Sequence, residues 1–301
     1  MKLRIFGALL CLLSNIICVR AAQPTAELFP YPVPPEDLER LDQRCNFLVH
    51  NFWKRCEFKT AFSSMDRLNK AFGDWIGFMP YASADTVHMA IDDLLKRVEK
   101  NGPQTLKMAS MAEAWMYGDT ASYVSEELYL PFARAAANNK KIPAAERMRF
   151  ASQVKIIESS GIGAKFPDIT LTRPDGSRFS MSEITAPHIL VFINDPDCDN
   201  CTMARLRLSI DHGTGRLIDA GQLTIVSIYP DSPKDSEWLD KVSAYPENWM
   251  VGACEDIDSY VDLSQMPTYL YLDGDHIVRV KNMELDNILR AFNQLYYSLQ
   301  Q

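Results

Sequence analysis

Cys198 and Cys201 are the residues whose type and spacing are best suited to chemistry. They flank Asp199 and Asn200 in a C-x-x-C pattern. This spacing serves either thiol–disulfide exchange or one half of a tetrahedral zinc site. A zinc site would need two further ligands, but the sequence has no second C-x-x-C and its five histidines are scattered. The pattern therefore favours a redox-active cysteine pair with no metal and no cofactor.

The flanking sequence predicts that this pair opens a helix. Residues 188–194 form a short apolar run typical of a buried strand, and residues 198–211 follow as a predicted helix. The sulfur of Cys198 would then lie at the positive end of a helix dipole, where a thiolate is stabilised. Cys201 would lie one turn later on the same face, from which its thiol could attack a mixed disulfide at Cys198.

Two sequence patterns divide the chain at a short Gly- and Pro-containing segment that starts at Gly161. Before it, helices are predicted at residues 35–56, 61–72, 84–100, 103–118, 122–137 and 143–158. After it, strands alternate with helices and the chain ends with a hairpin and an amphipathic helix at 283–299. We therefore predict an all-α N-terminal helical domain over residues 23–160. Residues 161–301 are predicted to form an α/β domain with helices on both faces of its sheet.

The first residues predict export. A positively charged start precedes the apolar residues 5–13, and small residues at 19 and 21 suit a signal peptidase. The alternative, an uncleaved membrane anchor, would need about 20 apolar residues. The sequence thus predicts a cleaved signal peptide at residues 1–22 and a periplasmic protein.

Charge and cysteine content narrow the function classes. A net charge of -8 argues against a nucleic-acid surface, which needs a basic stripe. Five cysteines follow the predicted signal peptide, too few for a disulfide scaffold: Cys45, Cys56, Cys198, Cys201 and Cys254. Cys45 and Cys56 would be about 16 Å apart on one helix, too far to bond. Cys254, at the end of a short strand, is either a third redox thiol or a buried inert cysteine.

Residues 165–300 resemble the thioredoxin superfamily, and specifically its exported TlpA/ResA-like branch of thiol–disulfide oxidoreductases. The strand at 188–194, the cysteine motif, Met266-Pro267-Thr268 and Leu272-Asp-Gly carry the resemblance. It implies a thioredoxin-like C-terminal domain in which Pro267 is cis and faces the cysteines, and in which the Met266 backbone pairs with an extended client segment. The alternative for Pro267 is a trans proline at the start of a strand.

The sequence departs from this family around the first cysteine. Asp197 and Asn200 replace the usual Trp and Pro. Asp197 and Asp199 place negative charge beside Cys198, which tends to raise its pKa. A less stable thiolate favours a reductant-like protein over a strong oxidant.

The buried acid of thioredoxins is also replaced, by Phe192. In the TlpA/ResA-like branch, an acidic residue just after the next strand can serve instead, and Asp231 matches that place. Asp231 is therefore either a proton relay for Cys201 or a solvated helix cap.

The N-terminal region resembles a domain of unknown function found in exported gram-negative proteins. The resemblance lies in its Pro-rich start, its long first helix with His50-Asn-Phe-Trp53, and its place before a thioredoxin module. It implies no chemistry.

Together these features predict a periplasmic thiol–disulfide oxidoreductase, reductant or isomerase-like, that acts on protein clients with disulfides. An unidentified membrane or periplasmic thiol donor would re-reduce it, and neither nucleic acid nor metal would take part. The alternative is a redox-inert binding or assembly protein in which the Cys198–Cys201 disulfide is structural. A thiol peroxidase is disfavoured because Asp195 stands where the peroxiredoxin motif has Thr.

Overall fold

A computed structural model of the protein describes residues 27–118 and 120–300. The predicted signal peptide lies outside the described residues. The N-terminal part of the described chain is helical, and its α-helices are α1 (Leu41–Asn51), α2 (Phe58–Ala61), α3 (Met65–Ile76), α4 (Ala84–Val98), α5 (Gly102–Met116), α6 (Glu126–Asn138) and α7 (Ala144–Ser160).

The first two predicted helices differ from the observed ones. Helix α1 begins at Leu41 rather than near residue 35, because the chain first makes a turn in which the Leu38 N–H bonds the Pro35 carbonyl. The predicted helix at 61–72 is divided between α2 and α3. Helix α3 runs on to Ile76 because its last turn packs Trp75 into the core. Burial outweighs the helix-weakening Gly73 here.

The helical core is aromatic. Trp75 is fully buried, its Nε1 donates to the Val49 carbonyl at 3.1 Å, and its ring meets those of Trp53 and Phe72 edge to face with centroids 5.7 Å apart. Phe132 of α6 packs edge to face on Phe72. Such pairs bury large apolar areas and tie separate helices together.

The C-terminal part is a seven-stranded mixed sheet in the order β2-β1-β5-β4-β3-β6-β7. Strands β3, β4 and β5 are mutually parallel, whereas β6 is antiparallel to β3 and to β7. The strands are β1 (Thr170–Thr172), β2 (Arg178–Ser180), β3 (His188–Ile193), β4 (Leu223–Tyr229), β5 (Met250–Ala253), β6 (Thr268–Asp273) and β7 (Val278–Lys281). The helices of this part are α8 (Asp199–Ile210), α9 (His212–Asp219), α10 (Ser236–Lys241) and α11 (Leu285–Ser298).

Among the described residues, the α-helices of this part pack on one face of the sheet, so the prediction of helices on both faces was wrong. Helices α8, α9 and α11 pack on the face that carries Leu190 and Ile225. The opposite face packs against Ile257 and Val261, which belong to the irregular segment between β5 and β6. That segment forms a single 3₁₀ helix, Ile257–Ser259.

The sequence also failed to predict helix α9, which contains two glycines. Its start is marked by Asp211, whose Oδ2 accepts a hydrogen bond from the Thr214 N–H at 2.9 Å as an N-cap. A Cβ at Gly213 would lie 2.6 Å from Oδ1 of Asn293 on α11. The glycine therefore permits the close approach of α9 to α11.

The two parts have separate cores and touch at a few polar contacts. All members of the helical core precede residue 160, and the cores around the sheet begin at Phe166. Lys281 Nζ is 2.7 Å from Glu126 Oε1, and Lys155 Nζ lies 4.2 Å from the Tyr260 ring centroid. A domain boundary between residues 160 and 161 stays a prediction. Within residues 27–118 and 120–300, no helix has the length and apolar character needed to cross a membrane.

Candidate active site

Cys198 and Cys201 form a disulfide at the start of α8, with their Cα atoms 5.1 Å apart. Cys198 is the N-cap residue, and its Sγ accepts a hydrogen bond from the Cys201 N–H at 3.1 Å. Cys198 is half-buried, whereas Cys201 is only 1% exposed. The first sulfur is thus the one that a protein client could reach, and the helix amide beside it favours negative charge there.

The loop before β6 faces the pair. The Met266–Pro267 peptide bond is cis, as the family resemblance implied, and the Met266 carbonyl oxygen lies 4.0 Å from Cys198 Sγ. Thr268 Oγ1 donates a hydrogen bond to the Gln265 carbonyl at 2.6 Å, which holds the loop in its conformation. Among the described residues, the Met266 N–H has no hydrogen-bond partner, so it is available to an incoming strand.

A groove of about 370 Å³ runs beside this loop and α8. Its lining combines apolar and polar groups, and includes Asn200, Met203, Met266, Pro267 and Glu284. Met203 is 58% exposed on the outer side of α8. The groove borders Met266, and its volume lies in the range of ligand pockets.

Asp197 is paired with a cation, and this pairing weakens the effect of its negative charge on Cys198. Lys241 Nζ forms an ion pair with Asp197 and a second one with Glu237 at 3.0 Å. The hydrogen bond from Lys241 lowers the pKa of Asp197. Asp199 is exposed in the first turn of α8. The acidic residues around Cys198 therefore oppose its thiolate less than the sequence alone indicates.

Asp231 is exposed and makes a local hydrogen bond, in which its Oδ1 accepts from the Ser232 N–H at 2.7 Å. Among the described residues, no contact joins Asp231 to Cys201. At the position of the missing buried acid, the Phe192 ring stacks on Tyr269 with centroids 5.5 Å apart and meets Trp249 edge to face. The roles of Asp231, Met266 and Pro267 stay predictions.

A buried hydrogen-bond network lies behind the pair, and sequence reasoning missed it. Asn194, directly after β3, is 2% exposed. Its Nδ2 donates to Ser227 Oγ at 2.7 Å and its Oδ1 accepts from Tyr245 Oη at 2.5 Å. Burial raises the pKa of Tyr245, which keeps its hydroxyl protonated as a donor. The sequence offered one signal for this network, because Asn194 is a polar residue at the end of the apolar run that forms β3.

The other three cysteines of the described residues, Cys45, Cys56 and Cys254, are free and buried. Cys254 follows β5 at the same sheet edge as the site, and its Sγ lies 3.3 Å from Asp256 Oδ1. Burial raises the pKa of the Cys254 thiol to about 12. This environment favours the inert alternative for Cys254. Among the described residues, no three His, Cys, Asp or Glu side chains are grouped so as to hold a metal ion.

Comparisons with known proteins agree with this architecture. Residues 16–160 match a family described as Domain of unknown function (DUF5106). A thioredoxin-like protein from Bacteroides caccae is 24% identical, and its crystal structure superposes with a TM-score of 0.69 over 89% of this chain and 99% of that chain. This likeness shows the fold. A search of the curated proteins finds no match.

Two further solved structures are similar over less than half of this chain. One is a thiol:disulfide interchange protein from Bacteroides sp., 17% identical, with a TM-score of 0.39 over 46% of this chain and 92% of that chain. The other is the thioredoxin domain of a thiol-disulfide oxidoreductase from Bacteroides vulgatus, 17% identical, with a TM-score of 0.39 over 45% of this chain and 97% of that chain. The protein thus has an N-terminal region that matches the DUF5106 model and a C-terminal part of thioredoxin-like fold, and that C-terminal part carries the Cys198–Cys201 disulfide.

Proposed function

We propose that the protein is a thiol–disulfide oxidoreductase that acts on disulfides of exported protein clients, with reduction or isomerisation as its working direction. The observation that carries the proposal is the position of Cys198 Sγ. It caps α8, is partly exposed, and lies 4.0 Å from the Met266 carbonyl beside an open groove. A client segment paired with the Met266 backbone would bring its own disulfide to this sulfur.

The exchange conserves electrons in two steps. The Cys198 thiolate attacks one sulfur of the client disulfide, and the other client sulfur leaves as a thiolate that takes a proton from water. The Cys201 thiolate then attacks the Cys198 sulfur, which re-forms the Cys198–Cys201 bond and releases the second client thiolate. Two electrons pass to the client, and a thiol donor at the membrane or in the periplasm restores the reduced pair.

Export through the signal peptide at residues 1–22 is part of the proposal, with a mature chain that begins near Ala22 or Gln23. An oxidising compartment supplies clients whose cysteines pair wrongly and need reduction. N-terminal sequencing of protein from the cell envelope tests this part, and a chain that still begins at Met1 would contradict it.

Trapping of clients tests the chemistry. Cys201→Ala should accumulate covalent mixed disulfides with client proteins, because attack by Cys198 is retained and resolution is lost. Cys198→Ala should accumulate none, since Cys201 is only 1% exposed. The products appear as high-mass bands on non-reducing gels of envelope extracts and collapse on reduction.

Two controls make the outcome specific. Cys198→Ser keeps an acceptor at the N-cap of α8, so its failure to trap reports lost chemistry rather than a frayed helix. Cys254→Ala leaves the pair intact and should trap no more than the natural protein. Equal trapping by the Cys201 and Cys198 variants would refute the proposal. A pair with a reduction potential below about -300 mV would instead support a structural disulfide.

A further inference from the structure

A half-open cavity of about 290 Å³ lies behind Cys201, on the side of α8 away from the groove beside Met266. It is bounded by the loop after β3, by α8 and by the segment after α10. Its lining includes Asn194, Asp195, Cys201, Arg205, Lys241 and Tyr245. Cys201 and Arg205 are four positions apart on α8, a spacing that puts side chains on one helix face with their Cβ atoms about 5–6 Å apart.

The guanidinium of Arg205 is held in place, but not all of its hydrogen-bond donors have partners. It lies over the Tyr245 ring, 4.6 Å from the centroid, and Tyr245 is itself fixed by its hydrogen bond to Asn194. Stacking occupies the face of the guanidinium and leaves its N–H edge free. Nη1 of Arg205 is buried and has no hydrogen-bond partner among the described residues. Leaving such a donor unpaired is costly.

The other charged groups facing this cavity are engaged elsewhere or exposed. Lys241 is occupied by Asp197 and Glu237. Asp195 Oδ1 accepts from the Asp197 N–H at 2.8 Å, and Asp240 is exposed. The carboxylates on the opposite, groove side of α8 are Asp262 and Glu284. Arg205 is therefore the cation of this lining, within the described residues, that keeps an unused donor.

Cys201 needs such a cation when the pair is reduced. The thiolate, not the thiol, attacks the mixed disulfide, and burial works against the thiolate. The three other buried thiols of the described residues illustrate this effect: burial raises the pKa of Cys45, and it raises the pKa of Cys56 and of Cys254 to about 12. Phe192 occupies the place of the family's buried acid, and Asp231 does not reach Cys201.

We propose that Arg205 is a positioning residue for the resolving step, in which its free guanidinium N–H stabilises the thiolate of Cys201 from the cavity behind it. The inference rests on the proposed function, since it concerns the second of the two exchange steps. The Cys201 proton passes to water, the thiolate attacks the Cys198 sulfur, and the client sulfur leaves with the bonding pair. The guanidinium stays charged throughout and supplies charge and orientation only.

The test separates the two steps in the full-length reduced protein. One equivalent of the neutral aromatic disulfide dithiodipyridine is mixed rapidly with the protein, and release of pyridinethione is followed by absorbance. Attack by Cys198 releases the first pyridinethione, and resolution by Cys201 releases the second. Arg205→Met should leave the first phase unchanged and slow the second about tenfold at neutral pH, equivalent to raising the pKa of Cys201 by about one unit.

The pH profile and a conservative variant distinguish this role from a structural one. The second phase of Arg205→Met should regain the natural rate at higher pH, and Arg205→Lys should keep part of the natural rate at neutral pH. Arg290→Met is the matched control, because Arg290 is an exposed cation on α11 whose hydrogen bond is to Asn287. It should change neither phase.

Three results would overturn the inference. One is a second phase in Arg205→Met with the natural rate and pH profile, and another is an equal slowing of both phases at every pH. Either leaves the proposed function standing. The third is a natural protein that releases no pyridinethione from Cys198, which would refute the proposed function as well.

Discussion

The helical region and the sheet region both bury polar side chains, but they use them differently. Among the described residues of the helical region, Thr105 and Ser160 are buried and polar, and each donates to a backbone carbonyl of its own or the preceding helix. Thr105 Oγ1 also accepts from Asn139 Nδ2 at 3.1 Å. In the sheet region, Asn194 instead joins Ser227 and Tyr245, side chain to side chain, across three separate elements.

The difference shows where each region needs precision. A hydroxyl that bonds a nearby carbonyl satisfies its own burial and constrains little else. A network across strands and loops fixes the relative position of distant segments and is costly if broken. The network of Asn194 lies directly behind the cysteine pair. The helical region combines aromatic packing with a side-chain network from Tyr129 through Gln153 to Glu113, which includes neither cysteine of the pair. We therefore expect damage to the helical core to lower stability, and damage to the network to change the chemistry.

The largest effect is expected from Trp75→Ala. Trp75 is fully buried, and its loss should lower the free energy of unfolding of the helical region by about 3–5 kcal/mol. In denaturant unfolding, this region should unfold at a lower denaturant concentration than in the natural protein. The reduction potential of the cysteine pair should not move, because the two cores share no members.

Phe192→Ala is the matched change in the sheet region. It removes an equally buried ring near the site, so it should lower stability by about 3–5 kcal/mol and also shift the potential. A shift of equal size in Trp75→Ala would break the comparison, since it would mean that the helical region completes the thioredoxin-like core.

A smaller effect is expected from Asn194→Leu. This change removes the acceptor of Tyr245 Oη and the donor to Ser227, at a cost of about 1–3 kcal/mol. The rate at which the reduced pair reacts with a small disulfide should change as well. Thr105→Val is the control in the helical region, because it removes one buried hydroxyl. It should lower stability while leaving that rate unaltered, and a changed rate in Thr105→Val would contradict the assignment.

Lys281→Met tests the link between the regions and should cost about 1 kcal/mol. The side chains of Lys281 and Glu126 are 11% and 20% exposed, so the pair is less screened than a surface pair. Its loss should separate the unfolding transitions of the two regions. Arg134→Met breaks the pair with Glu158, which is about half exposed on both sides. We expect less than about 0.5 kcal/mol there. Equal effects would show that the Lys281 pair does not couple the regions.

The last prediction concerns pH, and its effect is absent near neutral pH. Burial raises the pKa of Cys56, in the helical region, and of Cys254, in the sheet region, to about 12 from the ordinary 9.0. Folding therefore favours their protonated forms, and this stabilisation is complete below about pH 9 and is lost as the pH rises towards 12. Unfolding free energies should fall over that window in both regions.

Alkylation by iodoacetamide reports how readily each thiol ionises, one cysteine at a time. In the reduced, folded protein at about pH 8, Cys198 should be labelled far faster than Cys56 or Cys254, because few of the buried thiols are ionised. Mass spectrometry of the peptides gives the order. Rapid labelling of Cys254 would contradict its inert assignment and make it a candidate third redox thiol.

Local patterns predicted most of the fold and the centre of the site. The apolar run of β3, the helix that opens at Cys198 and the cis Pro267 were all readable from contiguous residues and a family resemblance. Helix α9 was not, because Gly213 lowers helix propensity, and the helix depends on its Asp211 N-cap and on contact with α11. The length of α3 likewise depends on packing of Trp75.

The surroundings of Cys201 could not be predicted, because they are assembled from distant segments. Tyr245 and Asn194 are 51 residues apart in sequence, and no spacing rule brings them together. In the sequence, Arg205 has the pattern of an ordinary helical cation. Its Nη1 is buried without a hydrogen-bond partner only in the folded protein, where the Tyr245 ring covers one face of the guanidinium. Asp231 was placed by analogy with a family position, and its local bond to Ser232 was invisible to that reasoning.

The hydrogen bond from the Cys201 amide to Cys198 Sγ also gives the protein an internal reporter of its redox state. In the disulfide the acceptor is a neutral sulfur, and in the reduced form it is a thiolate for a fraction of the time, which is a stronger acceptor. The amide proton of Cys201 should therefore resonate further downfield after reduction, by an amount that grows as Cys198 ionises. One backbone signal would then record the pair's oxidation state and the acidity of its first thiol.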